Sequence, residues 1–487
     1  MINRRPSKAV SIITALAFVM YIASCSKAPA RSGTAASSET TSIVIETTTE
    51  STTEETTTEE TSAAVISLDD IGIKEEITND SDSEHAIEAD GESAPYSNVK
   101  VTKTGDSDEG DKADFYGDNS AIFATDGATL TLTNIVVDTD GKHANAVFSY
   151  GEGTTVNISD SVITTTGNCS GGLMTTGGGT MNATNLNIHT TGNSSASIRS
   201  DRGGGTVNVD GGSYVTDGKG SPAIYSTADI TVSNAYLEST KSQGVVVEGK
   251  NSVTLNNVEL IADNNSKNSD KSPYYQAVMI YQSMSGDADE GSAMFSMNGG
   301  SLLNKNGDIF FVNNTVAEIS LENVTITNQD ANGVFLRAAA AGWGTEGSNG
   351  GHVTMNLKNQ MLEGDMIVDE VSSLNLYLSD SSSYSGAINQ ENSDGQIYVE
   401  VEEGSKWTLT ADSYITSLTC SADSIDLNGH KLYVNGVEYT ASTASQGEAI
   451  VVELSSSAHG DRPEMPNDGG EDHKPGDGKQ PPEKPQH

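Results

Sequence analysis

The feature that most constrains this chain is that it repeats itself. The stretch "ANAVFSYGEGTTVNISDSVITTTG" (144–167) returns, residue type by residue type, as "GGLMTTGGGTMNATNLNIHTTG" (171–192) and as "ASIRSDRGGGTVNVDGGSYVTDG" (196–218). Each copy holds a short apolar strand, a glycine turn, a Thr/Val/Asn strand and a further short strand. Aligned on the apolar strand, the anchors are Ile122, Val147, Leu173, Ile198, Ile224, Val246, Val278, Phe310, Phe335 and Ile367. They recur at intervals of roughly 22 to 32 residues, the period of a solenoid. Helical repeats do not fit, because the units are rich in Thr, Val, Ile, Asn and Gly and alternate with period two, as in "TLTLTNIVV". One unit cannot bury its apolar side chains alone, but units stacked at the parallel spacing of about 4.8 Å can. Only 5% of the 487 residues are aromatic, so the core has to be assembled from many small, regular layers. The predicted fold is all-β: a right-handed parallel β-helix of about a dozen three-strand coils over residues 96–455.

This register makes further predictions. Ala124, Ser149, Thr175, Ser200 and Ser226 form a second inward column of small and hydroxylated residues. Asn134, Asn182, Asn234 and Asn257 form a ladder at a turn. Facing outward, Phe123, Phe148, Met174, Arg199, Tyr225, Val247 and Met279 make a stripe on a flat sheet. Left open, the stripe is a platform for a polysaccharide chain. A covering loop, or a slip of one residue in register, makes it structural instead.

Turns in a solenoid are free to vary, and insertions there mark a functional face. Three unusual turns follow the first strand of their coils: "SDRGGG" (200–205), "SMSGDADEGS" (283–292) and "AAAAGWGTEGSNGG" (338–351). They are predicted to share one edge of the rod. Arg199, Arg202 and Arg337 suit bidentate binding of a sugar carboxylate, or else salt bridges to neighbouring acids. Trp343, flanked by glycines, suits stacking on a sugar ring or capping a coil edge. Asp287, Asp289 and Glu290 place carboxylates as a Ca²⁺ loop would, without the full EF-hand pattern, and equally suit a solvated acidic turn. No motif for nucleophilic catalysis, zinc or phosphate binding is present.

The N-terminus carries Arg4, Arg5 and Lys8 and then an apolar run ending in "IASC". This resembles a lipoprotein signal peptide (1–24) with a bacterial lipobox, which implies lipidation of Cys25. The Thr/Glu/Ser tract that follows (25–66) and the Pro/Gly-rich acidic tail (456–487) have almost nothing to bury and read as disordered, and 67–95 reads as an acidic linker. A net charge of −42 excludes nucleic acid as a partner and leaves lipid as the only link to a membrane. Cys169 and Cys420, separated by nine or ten coils (over roughly 40 Å), are expected to be free thiols.

The coils resemble the pectin-lyase-like β-helix class and bacterial surface β-helix proteins described as adhesins or carbohydrate-binding. The segment "GSKWTLTADSYITSLTCSADSIDLNGHKLYVNG" (404–436) is similar to the last coils of pertactin-like autotransporter passengers, although no membrane barrel follows it here. The resemblance implies a lipid-anchored extracellular protein on the cell membrane, acting as a non-catalytic adhesin or a binder of polysaccharide or host surface. The alternatives are a Ca²⁺-dependent polysaccharide lyase or hydrolase acting on an acidic glycan, and a passive surface rod.

Overall fold

The computed structural model describes residue 66, residues 71–283 and residues 285–452. Cys25, the signal segment, most of the Thr/Glu/Ser tract and the tail from 456 lie outside them. The chain divides into two units, Met1–Ile450 and Val451–His487, and every strand described below belongs to the first.

That unit is a parallel β-helix. The first strands of successive coils, Ile87–Asp90, Ile122–Thr125, Val147–Tyr150, Leu173–Thr176 and onward to Met366–Val368, stack into an 11-stranded sheet. The second and third strands of the coils form an 18-stranded sheet, and short sheets of four and three strands finish the C-terminal coils. Among the described strand pairs only Leu432–Val434 with Val437–Glu438 is antiparallel. Inside runs one continuous apolar core in which like stacks on like: Ile122 on Val147, Val147 on Leu173, Leu173 on Ile198. Each such side chain contributes about 1.5–3 kcal/mol by burial.

The register departs from prediction in the later coils. Val245 stacks on Ile224, Leu336 on Phe310 and Met366 on Leu336, each one residue away from the predicted anchors Val246, Phe335 and Ile367. Runs such as "GVVVEG" are apolar at consecutive positions, so alternation does not fix their phase. Val247 therefore points into the core, and Val246 takes its place on the outer stripe.

The solenoid also begins earlier than predicted. Glu75–Asn79 pairs with Val99–Lys103, and Ile87–Asp90 with the strand starting at Ile122, so much of the assigned linker is built into coils. Its acids occupy exposed positions that alternate with buried Ile87 and Ala89, and this disguised the strand.

Two ladders shape the corners. Asn134, Asp160, Asn185, Gly211, Asn234, Asn257, Gly299, Asn323 and Asn359 all sit at positive φ, where Asn, Asp and Gly are tolerated best. Their side chains bond along the stack: Asn185 to Asp160 at 2.8 Å and Asn257 to Asn234 at 3.1 Å. Asn182, predicted to belong here, instead lies on a strand in an amide column with Asn157 and Asn208.

At another corner the motif Thr-x-Gly-x-x-Ser recurs at 165–170, 190–195 and 216–221. A Cβ on Gly167 would lie 2.0 Å from the Gly141 carbonyl oxygen, one on Gly192 1.8 Å from that of Gly167, and one on Gly218 1.7 Å from that of Gly192. The serines close the turn: Ser195 Oγ donates to the Gly167 carbonyl at 3.1 Å and accepts from the Ser170 amide at 2.9 Å.

At the C-terminal end Trp407 is fully buried, stacked on Tyr384, and donates from Nε1 to the Gly386 carbonyl at 2.9 Å. Cys420 is a buried free thiol, so it is not bridged to Cys169. Cys169 itself is not free, which corrects that half of the expectation.

Candidate functional site

The outer face of the 11-stranded sheet carries the predicted stripe, now read as Phe123, Phe148, Met174, Arg199, Tyr225, Val246, Met279, Phe311 and Arg337. Two residues further along the chain from Met174, Arg199, Val246 and Met279 lie Thr176, Asp201, Glu248 and Tyr281. The chain covers both ends of this face with its own insertions.

Over the first end lies a helix, Gly110–Tyr116, which sequence periodicity missed because it is only seven residues long. Phe115 is buried and its carbonyl accepts from Thr176 Oγ1 at 2.7 Å. The helix stops at Gly117, with φ of 80°, where a Cβ would stand 2.4 Å from the Phe123 ring. Phe148 is consequently fully buried, edge-on to Phe123 with 6.0 Å between ring centroids. It is part of a core beneath the helix.

Over the second end fold the segments around Tyr274 and Trp343. Tyr274 meets Phe311 edge-on at 5.4 Å and Trp343 meets Tyr281 at 5.0 Å. The Gly342 amide donates to the Lys271 carbonyl at 2.8 Å, which ties the two covers together. Asn349 Nδ2 holds the loop from inside, donating to the carbonyls of Ala341 at 2.7 Å and Trp343 at 2.8 Å. Trp343 is half-buried and caps the sheet. Trp343→Ala is therefore expected to lower the melting temperature, at a cost of about 1–3 kcal/mol from lost packing. A variant melting with wild type would contradict the cap.

Two of the three unusual turns meet, and Trp343 of the third packs on Tyr281, just before the second. Arg202 Nη2 lies 2.9 Å from Asp287 Oδ1, joining turns three coils apart, and its guanidinium lies 3.8 Å from the centre of the Phe115 ring. Arg199 pairs with Asp201 at 2.7 Å and with Asp114 of the helix at 3.7 Å. Arg337 is held by Asp308 at 2.6 Å and lies over the Tyr274 ring at 4.1 Å. Of the two readings open for the arginines, each forms the internal salt bridge. Asp289 pairs with Lys250 at 2.9 Å, and Glu290 is exposed.

Of the predicted acidic turn, Asp287 is turned to Arg202 and Asp289 to Lys250. Among the described residues the group of three ligand types that comes together is Asp114, His143 and Cys169, with ligand atoms within 4.8 Å. His143 Nδ1 lies 3.0 Å from Asp114, a pair that ties the helix to the coil beneath it, and Cys169 is not free.

Between the two covers lies a buried polar cluster that sequence reading did not assemble. Tyr225 donates a short bond to Glu248, which also accepts from Tyr281 at 3.0 Å and from the Ser283 amide at 3.3 Å. Four acids (Asp114, Asp201, Glu248 and Asp287) share the space with Arg199 and Arg202. Burial raises the Asp201 carboxyl to about 7; Arg199 opposes the shift, while Asp287 and Asp114 reinforce it. Burial likewise raises Glu248, against the hydrogen bonds from Ser283, Tyr225 and Tyr281.

An Asp whose folded pKa exceeds its unfolded value near 3.9 binds its proton more tightly when folded. Asp201 therefore favours folding most at low pH, and that contribution is lost as pH rises towards and through about 7. His85 and His352, lowered by burial, act in the opposite sense below about 6.5. The measurement is the difference between wild type and Asp201→Asn. The Asp201 share of the slope, at most about 1.4 kcal/mol per pH unit, is expected to disappear from the stability profile between pH 5 and 8. Parallel profiles for the two proteins would show that Asp201 does not titrate there.

No family model, curated protein or solved structure matches the chain.

Proposed function

We propose that the protein is a non-catalytic binding rod, anchored through lipid at Cys25 on the outer face of a bacterial cell membrane, whose ligand is extracellular polysaccharide. The observation that carries this reading is the neutralisation of every candidate arginine within the fold: Arg199 by Asp201 and Asp114, Arg202 by Asp287, Arg337 by Asp308. A lyase needs an unpaired base beside converging Ca²⁺ ligands in an open groove, and here the groove position is filled by the chain's own helix and loops. Asp201 and Glu248, the buried carboxyls of the cluster whose pKa is raised, are 4% and 1% exposed and out of reach of a polymer. The lipobox-like "IASC" and the Thr/Glu/Ser tract support display at a distance from the membrane.

The test is incubation of the full chain with neutral and acidic polysaccharides, with and without EDTA. Retention of polymer with no new reducing or unsaturated ends is expected. Chain shortening that stops with EDTA would replace this reading with the Ca²⁺-dependent enzyme. A complete lack of retention would leave a structural rod.

A further inference from the structure

We infer that the ligand is a neutral, hydroxyl-rich polysaccharide and that it lies on the face built by the second strands of the coils, which no described segment covers, away from the arginine edge. This inference rests on the polysaccharide-binding reading. The face belongs to the 18-stranded sheet and is formed by strands such as Thr129–Thr133, Thr155–Thr165, Gly179–Thr190 and Gly205–Thr216. Its central outward column is Thr131, Asn157, Asn182, Asn208, Thr231 and Thr254, stacked in register coil after coil. The columns on either side are again mostly Thr, Ser and Asn. Their partners along each strand, such as Leu130, Val156, Met181 and Val207, point into the core and hold the backbone flat.

Two observations point to the chemistry of the ligand. The first is charge. In a chain with 68 acidic residues, the second-strand segments of this face (129–133, 155–159, 180–184, 206–210, 229–233 and 252–256) show only Asp210 and Asp229 among their outward positions, while Asp160 and Glu259 of the same strands lie at or beyond the corner. Asp210 and Asp229 lie along its margins, and each is hydrogen-bonded to a neighbour: Asp210 to Asn234 at 2.8 Å and Asp229 to Ser252 at 2.7 Å. An acidic polymer finds no cation there, whereas a neutral polyol meets donors and acceptors of its own kind. The second is access. The same molecule covers its other flat face with a helix and two loops, and leaves Asn182, Asn208 and Thr231 lining a shallow open depression.

The amides are already aligned. Asn208 Nδ2 donates to Asn182 at 3.0 Å, and Asn182 to Asn157 at 2.9 Å, so the ladder fixes each side chain while a second N–H on every amide remains. A polymer lying along the rod would gain one amide or hydroxyl contact per coil, at steps of about 4.8 Å. Single contacts are weak and their number supplies the avidity.

The experiment is retention of the full chain on insoluble neutral glucan, insoluble neutral mannan and immobilised polygalacturonate. Wild type is compared with Asn182→Ala/Asn208→Ala and with Arg202→Gln. Retention on a neutral polymer is expected, unchanged between 50 and 500 mM salt, with at least tenfold weaker retention for the double variant and none of that loss for Arg202→Gln. Urea unfolding of each variant accompanies the assay, and the salt series on wild type reports on ligand charge without any substitution. Neutral-polymer retention that survives in a folded double variant overturns the placement and leaves the binding reading standing. Salt-sensitive retention on polygalacturonate alone, lost with Arg202→Gln, overturns the neutral ligand. Retention on none of the three overturns this inference and the reading beneath it together.

Discussion

Gly192→Ala is expected to destabilise the protein by at least about 3 kcal/mol, at the top of the ordinary range for single substitutions. The reason is backbone, not side chain. The Cβ would lie 1.8 Å from the Gly167 carbonyl oxygen and 2.5 Å from its carbonyl carbon, and neither can move without shifting the coil before it. The next coil repeats the contact, because a Cβ on Gly218 meets the Gly192 carbonyl in the same way. Distortion at one step is therefore passed along the stack. Urea unfolding of Gly192→Ala beside Thr191→Ala, an exposed neighbour, gives the comparison; the Thr191 change is expected to stay within about 0.5 kcal/mol. A loss below about 1 kcal/mol at Gly192 would mean that the corner has slack which the close approach does not suggest.

Trp407→Ala is expected to cost about 3–5 kcal/mol, the range for emptying a large aromatic site in a core. Trp407 fills the end of the solenoid against Tyr384, and its indole N–H satisfies the carbonyl of Gly386. Truncation leaves a cavity and an unpaired buried acceptor together. Because each coil contacts only its neighbours, the damage should be graded along the rod. Limited proteolysis is expected to open the strands from Ser383–Ser385 to Leu432–Val434 first, while the coils around Ile122–Thr125 and Val147–Tyr150 remain protected. Simultaneous cleavage throughout would show that the rod unfolds as one cooperative unit.

These two positions were unequally visible in the sequence. The Trp stood out as one of only two in the chain and sat in a segment that resembled a terminal coil. Gly192 lies within a repeat, but its role depends on how near the previous coil's backbone comes, and a repeat pattern contains no distance. The Thr-x-Gly-x-x-Ser recurrence was the available signal. The same holds for the ends of the solenoid: Ile87 and Ala89 alternate with acids on a strand that composition alone made resemble a linker.

The candidate site divides along the same line. The sequence placed the three unusual turns on one edge, and Arg202 does reach Asp287 there. It left open whether the arginines bind a sugar carboxylate or pair with neighbouring acids, and it did not reveal which acids they meet, nor that Phe148 would lie under a helix. Pairing of this kind is set by which loops fold back over the sheet, and the insertions at 110–116, around Tyr274 and around Trp343 have no periodicity to announce their direction.

What the sequence determined by itself was the solenoid. Period-two alternation within each unit and the recurrence of units at intervals of roughly 22 to 32 residues leave stacked parallel strands as the arrangement that buries every apolar column. Tertiary structure alone decided the phase of the purely apolar strands, the covering of one flat face and the exposure of the other. Phase at "GVVVEG" is chosen by contact with the coil on either side, and covering is chosen by long-range packing of loops, whose energies depend on neighbours that are distant in the chain.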